Sequence, residues 1–301
     1  MRNNFSETFF ALAEEHNLVI VTGDLGFGVF ENLEKSLPKH FFNAGITEQS
    51  MTSLSAGLSD TGWLPFIYSI ANFPTFRNLE QIRNDIAYPN RHVVIVSVGA
   101  GLSYGTLGSS HFGLEDFAIM RSLPNMRILS PSDGLRAKLA TYAAVTKKQP
   151  TYLRLGKSGE LPFGSSDQSE HEQMRTITSG SKMIAVVSTG SIGYTVNQAI
   201  SNLDYPVTHF SLEEIWPLAS DSLEVLSKFK KIIVVEEHVT TGGLFSILAE
   251  EFQLNKVLTE LLPIGVRREL LIRSGDHEFM LGQAKMKLDD IREIINAKFL
   301  E

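Results

Sequence analysis

The stretch His92–Val98, HVVIVSV, is almost continuously β-branched. A strand with one solvated face alternates apolar and polar residues, so an unbroken run of this kind describes a strand buried on both faces. That condition is met in a parallel sheet covered by helices. The surrounding sequence fits such a sheet. A helix near Ser6–His16 leads into a strand Leu18–Val21 that ends at Thr22-Gly23-Asp24. Phe41-Phe42 closes a short strand, Ala44-Gly45 makes a tight turn and Thr47 caps a helix, along which Met51, Leu54 and Leu58 recur as a core-facing stripe. A strand Leu64–Ser69 and a helix Thr75–Ile86 come before His92–Val98. After it, helix Leu114–Ser122, strand Arg127–Leu129, helix Gly134–Thr146 and strand Thr151–Leu155 complete a doubly wound α/β unit.

Gly156–Ser181 is polar, with Gly-Ser-Ser and a charged SEHEQ stretch, and lacks periodicity. The alternation then restarts with strand Met183–Ser188, helix Tyr194–Asn202, strands Val207–Phe210 and Lys231–Val235, helix Leu244–Phe252 and a last helix Leu288–Phe299. The expected organisation is therefore a first domain over 1–160, a linker over 161–181 and a second, smaller α/β domain over 182–301. A chain of 301 residues is long enough for two such cores.

Charge and composition narrow the function. A formal charge of −7 without a Lys/Arg block argues against nucleic acid or an anionic membrane surface as partner. With no cysteine there is neither a disulfide framework nor a thiolate nucleophile or metal ligand. The start, MRNNFSETFFALAEEHN, lacks the basic and small-residue features of a signal peptide, and no apolar run is long enough to span a bilayer, so a cytoplasmic protein is expected.

Several motifs invite chemistry. Gly99-x-Gly101-x-x-x-Gly105 follows a strand, but its spacing differs from the dinucleotide fingerprint. Thr189-Gly190-Ser191 could hold an anion on backbone amides or simply make a tight βα turn. Glu236-Glu237-His238 lacks the helical spacing of a metal pair. No metal site is expected in this chain. The richer constellation is Glu48, the aromatics Phe66, Tyr68, Phe73 and Phe76, and His111 in the glycine-rich loop Gly99–Gly113. Glu48 opens a helix at a strand end, where open α/β sheets bind ligands, although an acid there also simply complements the helix dipole, by roughly 0.3–1 kcal/mol. An acid beside an aromatic wall suits a flat heterocycle, since the carboxyl can share a proton with a ring nitrogen while the aromatic faces stack. Taken singly, each aromatic reads more readily as core, and His111 as structural.

NAGITEQ, LPFIYSIANFPTFRNLEQIRNDIAYPN, GSSHFGLEDFAIMRSLPNMRILSPSDG and TYLRLGK, in this order and spacing, resemble the pyrimidine-binding domain of transketolases, and the downstream STGS, VVEEH and TGG resemble that family's C-terminal domain. The resemblance implies the C-terminal subunit of a split transketolase, with thiamine diphosphate as cofactor and Mg²⁺ held mainly by an N-terminal-type partner subunit, in an α₂β₂ assembly. It implies transfer of a two-carbon ketol unit from a ketose donor, a sugar or sugar phosphate, to an aldose. The β subunit of a 2-oxo acid dehydrogenase and a deoxyxylulose phosphate synthase-like enzyme are the alternatives. By the same resemblance Glu48 bonds the aminopyrimidine, Asp24 lines the thiazolium side, and Phe73 and Phe76 fall on the aromatic wall, with Ile70 where a stacking Phe is usual. His111 touches substrate, and Arg2 and Lys157 match two arginines that bind substrate phosphate. The departures are Leu107 in place of an aspartate that reads a sugar hydroxyl, Gly99 in place of a histidine near the phosphate, and Phe112 in place of a glutamine. They imply a non-standard sugar.

Overall fold

The computed structural model describes residues 1–157, 159–164, 171–267 and 273–300, with side chains to 298. Its strands are β1 Leu18–Thr22, β2 Phe41–Asn43, β3 Leu64–Ile70, β4 Val94–Val98, β5 Arg127–Leu129, β6 Thr151–Leu155, β7 Met174–Thr178, β8 Ile184–Thr189, β9 Thr208–Leu212, β10 Glu214–Trp216, β11 Lys231–Val239 and β12 Glu260–Val266. They form a seven-stranded sheet in the order β10-β5-β6-β4-β3-β1-β2 and a five-stranded sheet in the order β12-β11-β8-β9-β7. β10 runs antiparallel to β5 and β7 antiparallel to β9; every other pairing is parallel. As the sequence required, β4 lies between β3 and β6 and is buried throughout.

Alternation along β3 separates the two faces of the first sheet. Phe66 and Tyr68 point to one side, where Phe5 and Phe9 of the helix Arg2–Leu12 meet them with ring centroids 5.2–6.1 Å apart. Ile67 points to the other, with Met51, Ile82, Ile86 and Phe117. Each such side chain contributes about 1.5–3 kcal/mol on burial. Phe66 and Tyr68, expected beside the acid, are thus core residues. Among the described residues no helix is long and apolar enough to cross a membrane.

Four local expectations change. The helix expected over Thr75–Ile86 is three short pieces, Phe73–Phe76, Leu79–Gln81 and a π-helical Ile82–Ala87, because Pro74 and Asn78 depart from helical dihedrals. In the helix Glu48–Asp60, Leu54 is exposed, and the buried stripe is Glu48, Met51, Thr52, Ser55 and Ala56. Burying Thr52 and Ser55 is cheap, since their hydroxyls donate back to the carbonyls of Glu48 and Met51. Thr47 occupies the N-cap position, but its hydroxyl donates to the Ala44 carbonyl and caps nothing. The stretch expected as linker contains β7, which edges the second sheet, while Glu214–Trp216 crosses over to edge the first.

The seam between the sheets is ionic. Arg154, buried, donates from Nε to Asp116 Oδ2 at 2.7 Å and from Nη2 to the carbonyls of Gly113 (2.6 Å) and Glu237 (3.0 Å). Tyr152 donates to the same Asp116 oxygen. Burial pushes the His238 imidazole down to about 4, so it is neutral, and its Nε2 accepts the Phe117 N–H. Glu236 accepts the N–H groups of Leu244 and Phe245 at a helix start. A Cβ on Gly243 would fall 2.1 Å from that carboxylate. VVEEH and TGG thereby read as a fold-holding pair, and Glu236, Glu237 and His238 are each committed to separate partners. Thr189-Gly190-Ser191 makes the tight turn, with Gly190 at φ +68°.

Candidate active site at the strand ends

β1, β2 and β3 all run parallel, so their carboxyl ends open on one edge, and the helix Glu48–Asp60 begins there. Glu48 is its first residue and is only 6% exposed. Its Oε1 accepts from Arg77 Nη1 at 2.8 Å. The same guanidinium lies 3.9 Å from the centroid of the Phe73 ring, and that ring meets the His111 imidazole edge-on at 5.1 Å. Acid, planar cation, aromatic face and imidazole therefore form one continuous stack. Beneath it, Asn78 donates to Thr52 Oγ1, fixing the first turn of the helix to the segment that carries Arg77.

The glycine-rich loop is tethered to this stack by Asn72, whose amide donates to the carbonyls of Ser109 and Ser110 at 3.3 and 3.2 Å. His111 Nδ1 lies 2.9 Å from Ser110 Oγ. Burial and then the charge of Arg77 hold the His111 pKa below its usual value, against a smaller opposing effect of the Leu107 carbonyl. The imidazole is thus neutral at physiological pH and able to donate or accept.

Asp24 sits just beyond β1 with φ +56° and is exposed. Asn43, at the end of β2, accepts the Asp24 and Gly45 N–H groups and donates to the Asp24 carboxylate, so the two strand-end loops are joined just before Glu48. Phe76 is half exposed. Ile70 is half-buried and packs down on the core beneath the edge.

A second cluster gathers Arg2, Gly99 and Lys157 around Tyr104, an aromatic of the glycine-rich loop. A Cβ on Gly99 would lie 2.1 Å from the Tyr104 ring, and Gly99 has φ +87°. Tyr104 thereby occupies the volume that any side chain at 99 would need. The charge of Arg2 bears on its hydroxyl, and Lys157 Nζ lies 5.6 Å from its ring centroid. Burial raises the Tyr104 pKa, with Arg2 opposing. Leu107, in a single 3₁₀ turn Gly105–Leu107, is half exposed, whereas Phe112 is buried. Among the described residues no three His, Cys, Asp or Glu side chains are grouped to hold a metal.

Arg77 is the site residue that sequence reasoning missed. Its spacing of four from Phe73 carries a faint signal, since a cation and an aromatic one helical turn apart can stack.

Comparison with known proteins bears on the family and the fold. Residues 1–159 match the transketolase pyrimidine-binding domain. An apulose-4-phosphate transketolase subunit from Phocaeicola vulgatus is 30% identical over 92% of this chain and 90% of its own length. A 1-deoxy-D-xylulose-5-phosphate synthase from Cytophaga hutchinsonii is 29% identical over 87% of this chain but only 42% of its own length. A split-gene transketolase solved as an inactive β₄ tetramer has a TM-score of 0.86 at 27% identity, covering 98% of this chain and 96% of that one. The chain belongs to the transketolase family and corresponds to the C-terminal subunit of a split transketolase.

Proposed function

We propose that this chain supplies the pyrimidine-holding half of a thiamine diphosphate-dependent transketolase that acts on a non-standard sugar phosphate. The observation that carries the reading is the buried Glu48 carboxylate bonded to a flat cation that lies over the Phe73 ring. A guanidinium is planar, with N–H donors in its plane and a π-face, so its two contacts are those an aminopyrimidine requires; the residues fit the group. When bound, the cofactor supplies an electron sink for cleavage of the ketose carbon–carbon bond.

The protein's own contribution is binding and proton placement. Glu48 holds and exchanges a proton at a ring nitrogen, Phe73 and Phe76 form the apolar wall, and Ile70 supports it from below. Asp24 lines the thiazolium side, and neutral His111 exchanges a proton with a sugar hydroxyl. Arg2 and Lys157 take the substrate's anionic end. The diphosphate and Mg²⁺ come with an N-terminal-type partner subunit, in an α₂β₂ assembly of cytoplasmic location.

Leu107 bears on the substrate. An aspartate there would accept a hydroxyl proton and reject a sugar lacking that group, whereas burying an unpartnered hydroxyl against leucine costs roughly 1–3 kcal/mol. The test compares kcat/KM for xylulose 5-phosphate and apulose 4-phosphate in wild type and Leu107→Asp, each assembled with the partner and thiamine diphosphate. Wild type should favour apulose 4-phosphate, and Leu107→Asp should shift preference toward xylulose 5-phosphate. Wild-type efficiency of about 10⁴ M⁻¹s⁻¹ or better on xylulose 5-phosphate, impaired by the substitution, would sink the substrate assignment.

A further inference from the structure

Arg77 makes both of the contacts that the proposed cofactor ring needs. Its Nη1 holds Glu48 Oε1 at 2.8 Å, and its guanidinium carbon lies 3.9 Å from the Phe73 centroid. One carboxylate oxygen and one aromatic face cannot serve two flat groups in the same place. We propose that Arg77 is a positioning residue that fills the pyrimidine slot of the unliganded subunit, keeping Glu48 paired and the aromatic face covered until the heterocycle displaces it.

The surroundings suit a displaceable plug. Arg77 is 47% exposed while Glu48 is 6% exposed, so the cation can swing into solvent and the acid cannot follow. A half-exposed ion pair is weak, so a competing ring needs to overcome a factor of only about five. Arg77 follows a four-residue helix interrupted at Pro74, which gives its side chain no long rigid support. The guanidinium charge also bears on His111, so withdrawal of the plug changes the field at both residues that frame the slot.

The inference rests on the thiamine diphosphate reading, and the experiment separates the two. Calorimetry measures thiamine diphosphate binding to the full chain assembled with its partner subunit, for wild type, Arg77→Ala and Arg77→Lys. Arg77→Ala should bind about fivefold more tightly. Arg77→Lys should fall between, because lysine keeps a charge for Glu48 but lacks the plane that covers Phe73. Millimolar methylguanidinium should weaken binding to Arg77→Ala by refilling the slot and leave wild type unaffected, a response that a merely structural arginine would not give. Equal or weaker binding in Arg77→Ala, or no effect of methylguanidinium on it, overturns the plug while leaving the cofactor assignment standing. A wild-type assembly that binds no thiamine diphosphate at all overturns both.

Discussion

Two arginines in this chain answer carboxylates in opposite settings. Arg154 lies at the seam between the sheets, where Asp116, Tyr152 and the carbonyls of Gly113 and Glu237 satisfy it in the interior. Arg77 lies at the strand ends, paired to one buried oxygen, with the rest of its guanidinium turned to solvent and an aromatic face. A charge withdrawn from water on every side is held by the whole network and cannot leave without leaving its partner bare. A charge withdrawn on one side can leave. The seam therefore holds the fold, whereas the strand-end pair can exchange its cation, although both are short Arg–carboxylate contacts.

The sharpest way to break this contrast is to remove each arginine in turn. Arg154→Met should cost about 3–5 kcal/mol, because it strands the buried Asp116 charge, read as a shift of the urea midpoint. Arg77→Ala removes a guanidinium that is already half exposed and should cost less than Arg154→Met by the same measure. Similar losses for the two variants would show that exposure is not what separates them.

Next in size is Glu48→Gln. The change is nearly isosteric, removes the ionisable proton site and leaves the helix start in place. Turnover of the assembled enzyme should fall by at least about 100-fold, near 2.7 kcal/mol of barrier, with the urea midpoint almost unmoved. Turnover retained within about tenfold would remove Glu48 from the proton-handling role.

What was legible in the sequence follows the range of the forces involved. The run in β4 could be read because burial on both faces excludes polar residues along a contiguous stretch. Glu48 could be read because a strand end, a turn and a helix start are all local. β10 could not: Glu214 and Trp216 join the first sheet only through pairing with Leu129 and Ile128, far away in the chain. β7 hid for a different reason, since an antiparallel edge strand with alternate residues exposed looks like polar linker. Aromatic composition could not separate wall from core. Phe66 and Tyr68 went to the core because alternation along β3 turned them inward, while Phe73, beyond the strand, was left to face the site. Arg77 escaped notice because its carboxylate partner stands 29 residues earlier in the chain.

Glu214 gives a third way to sharpen the comparison, through acid. It ties β10 to β5 by accepting two hydrogen bonds from the Arg127 guanidinium, at 2.8 and 2.6 Å. Burial opposes its ionisation, but His171 and Arg127 more than offset this and hold its pKa at about 2 against an ordinary 4.5. His171 stands 3.5 Å off, long for a hydrogen bond, so Arg127 is the firmer holder. A depressed carboxyl pKa gives stability that is fully present above 4.5 and is lost as pH falls from 4.5 toward 2. Glu214→Gln should therefore lose about 2 kcal/mol at neutral pH. The gap from wild type should close between pH 4.5 and 2 in a series of urea titrations. A gap that stays constant with pH would mean that packing of the strand, and not the charge, is what Glu214 supplies.

The smallest expected effect concerns Tyr104, which mixes the two regimes by pressing a half-buried ring against Gly99 while its hydroxyl feels the charge of Arg2. Tyr104→Phe keeps the ring, and with it the space-filling that excludes any side chain at 99, but removes the polar group beside Arg2. If Arg2 takes the anionic end of the substrate, a guanidinium without the neighbouring hydroxyl loses some of the preorganisation that binding draws on. KM for a sugar phosphate should rise about fivefold, near 1 kcal/mol, with kcat little changed, since the hydroxyl is linked to the binding arginine and not to Glu48. The matching change on the other partner is Gly99→Ala, which meets the ring at 2.1 Å in a left-handed conformation and should push Tyr104 aside, raising KM by more than Tyr104→Phe does. If Gly99→Ala leaves KM for the phosphorylated sugar untouched, the cluster of Arg2, Tyr104 and Lys157 is packing alone, and the substrate's charged end is held elsewhere.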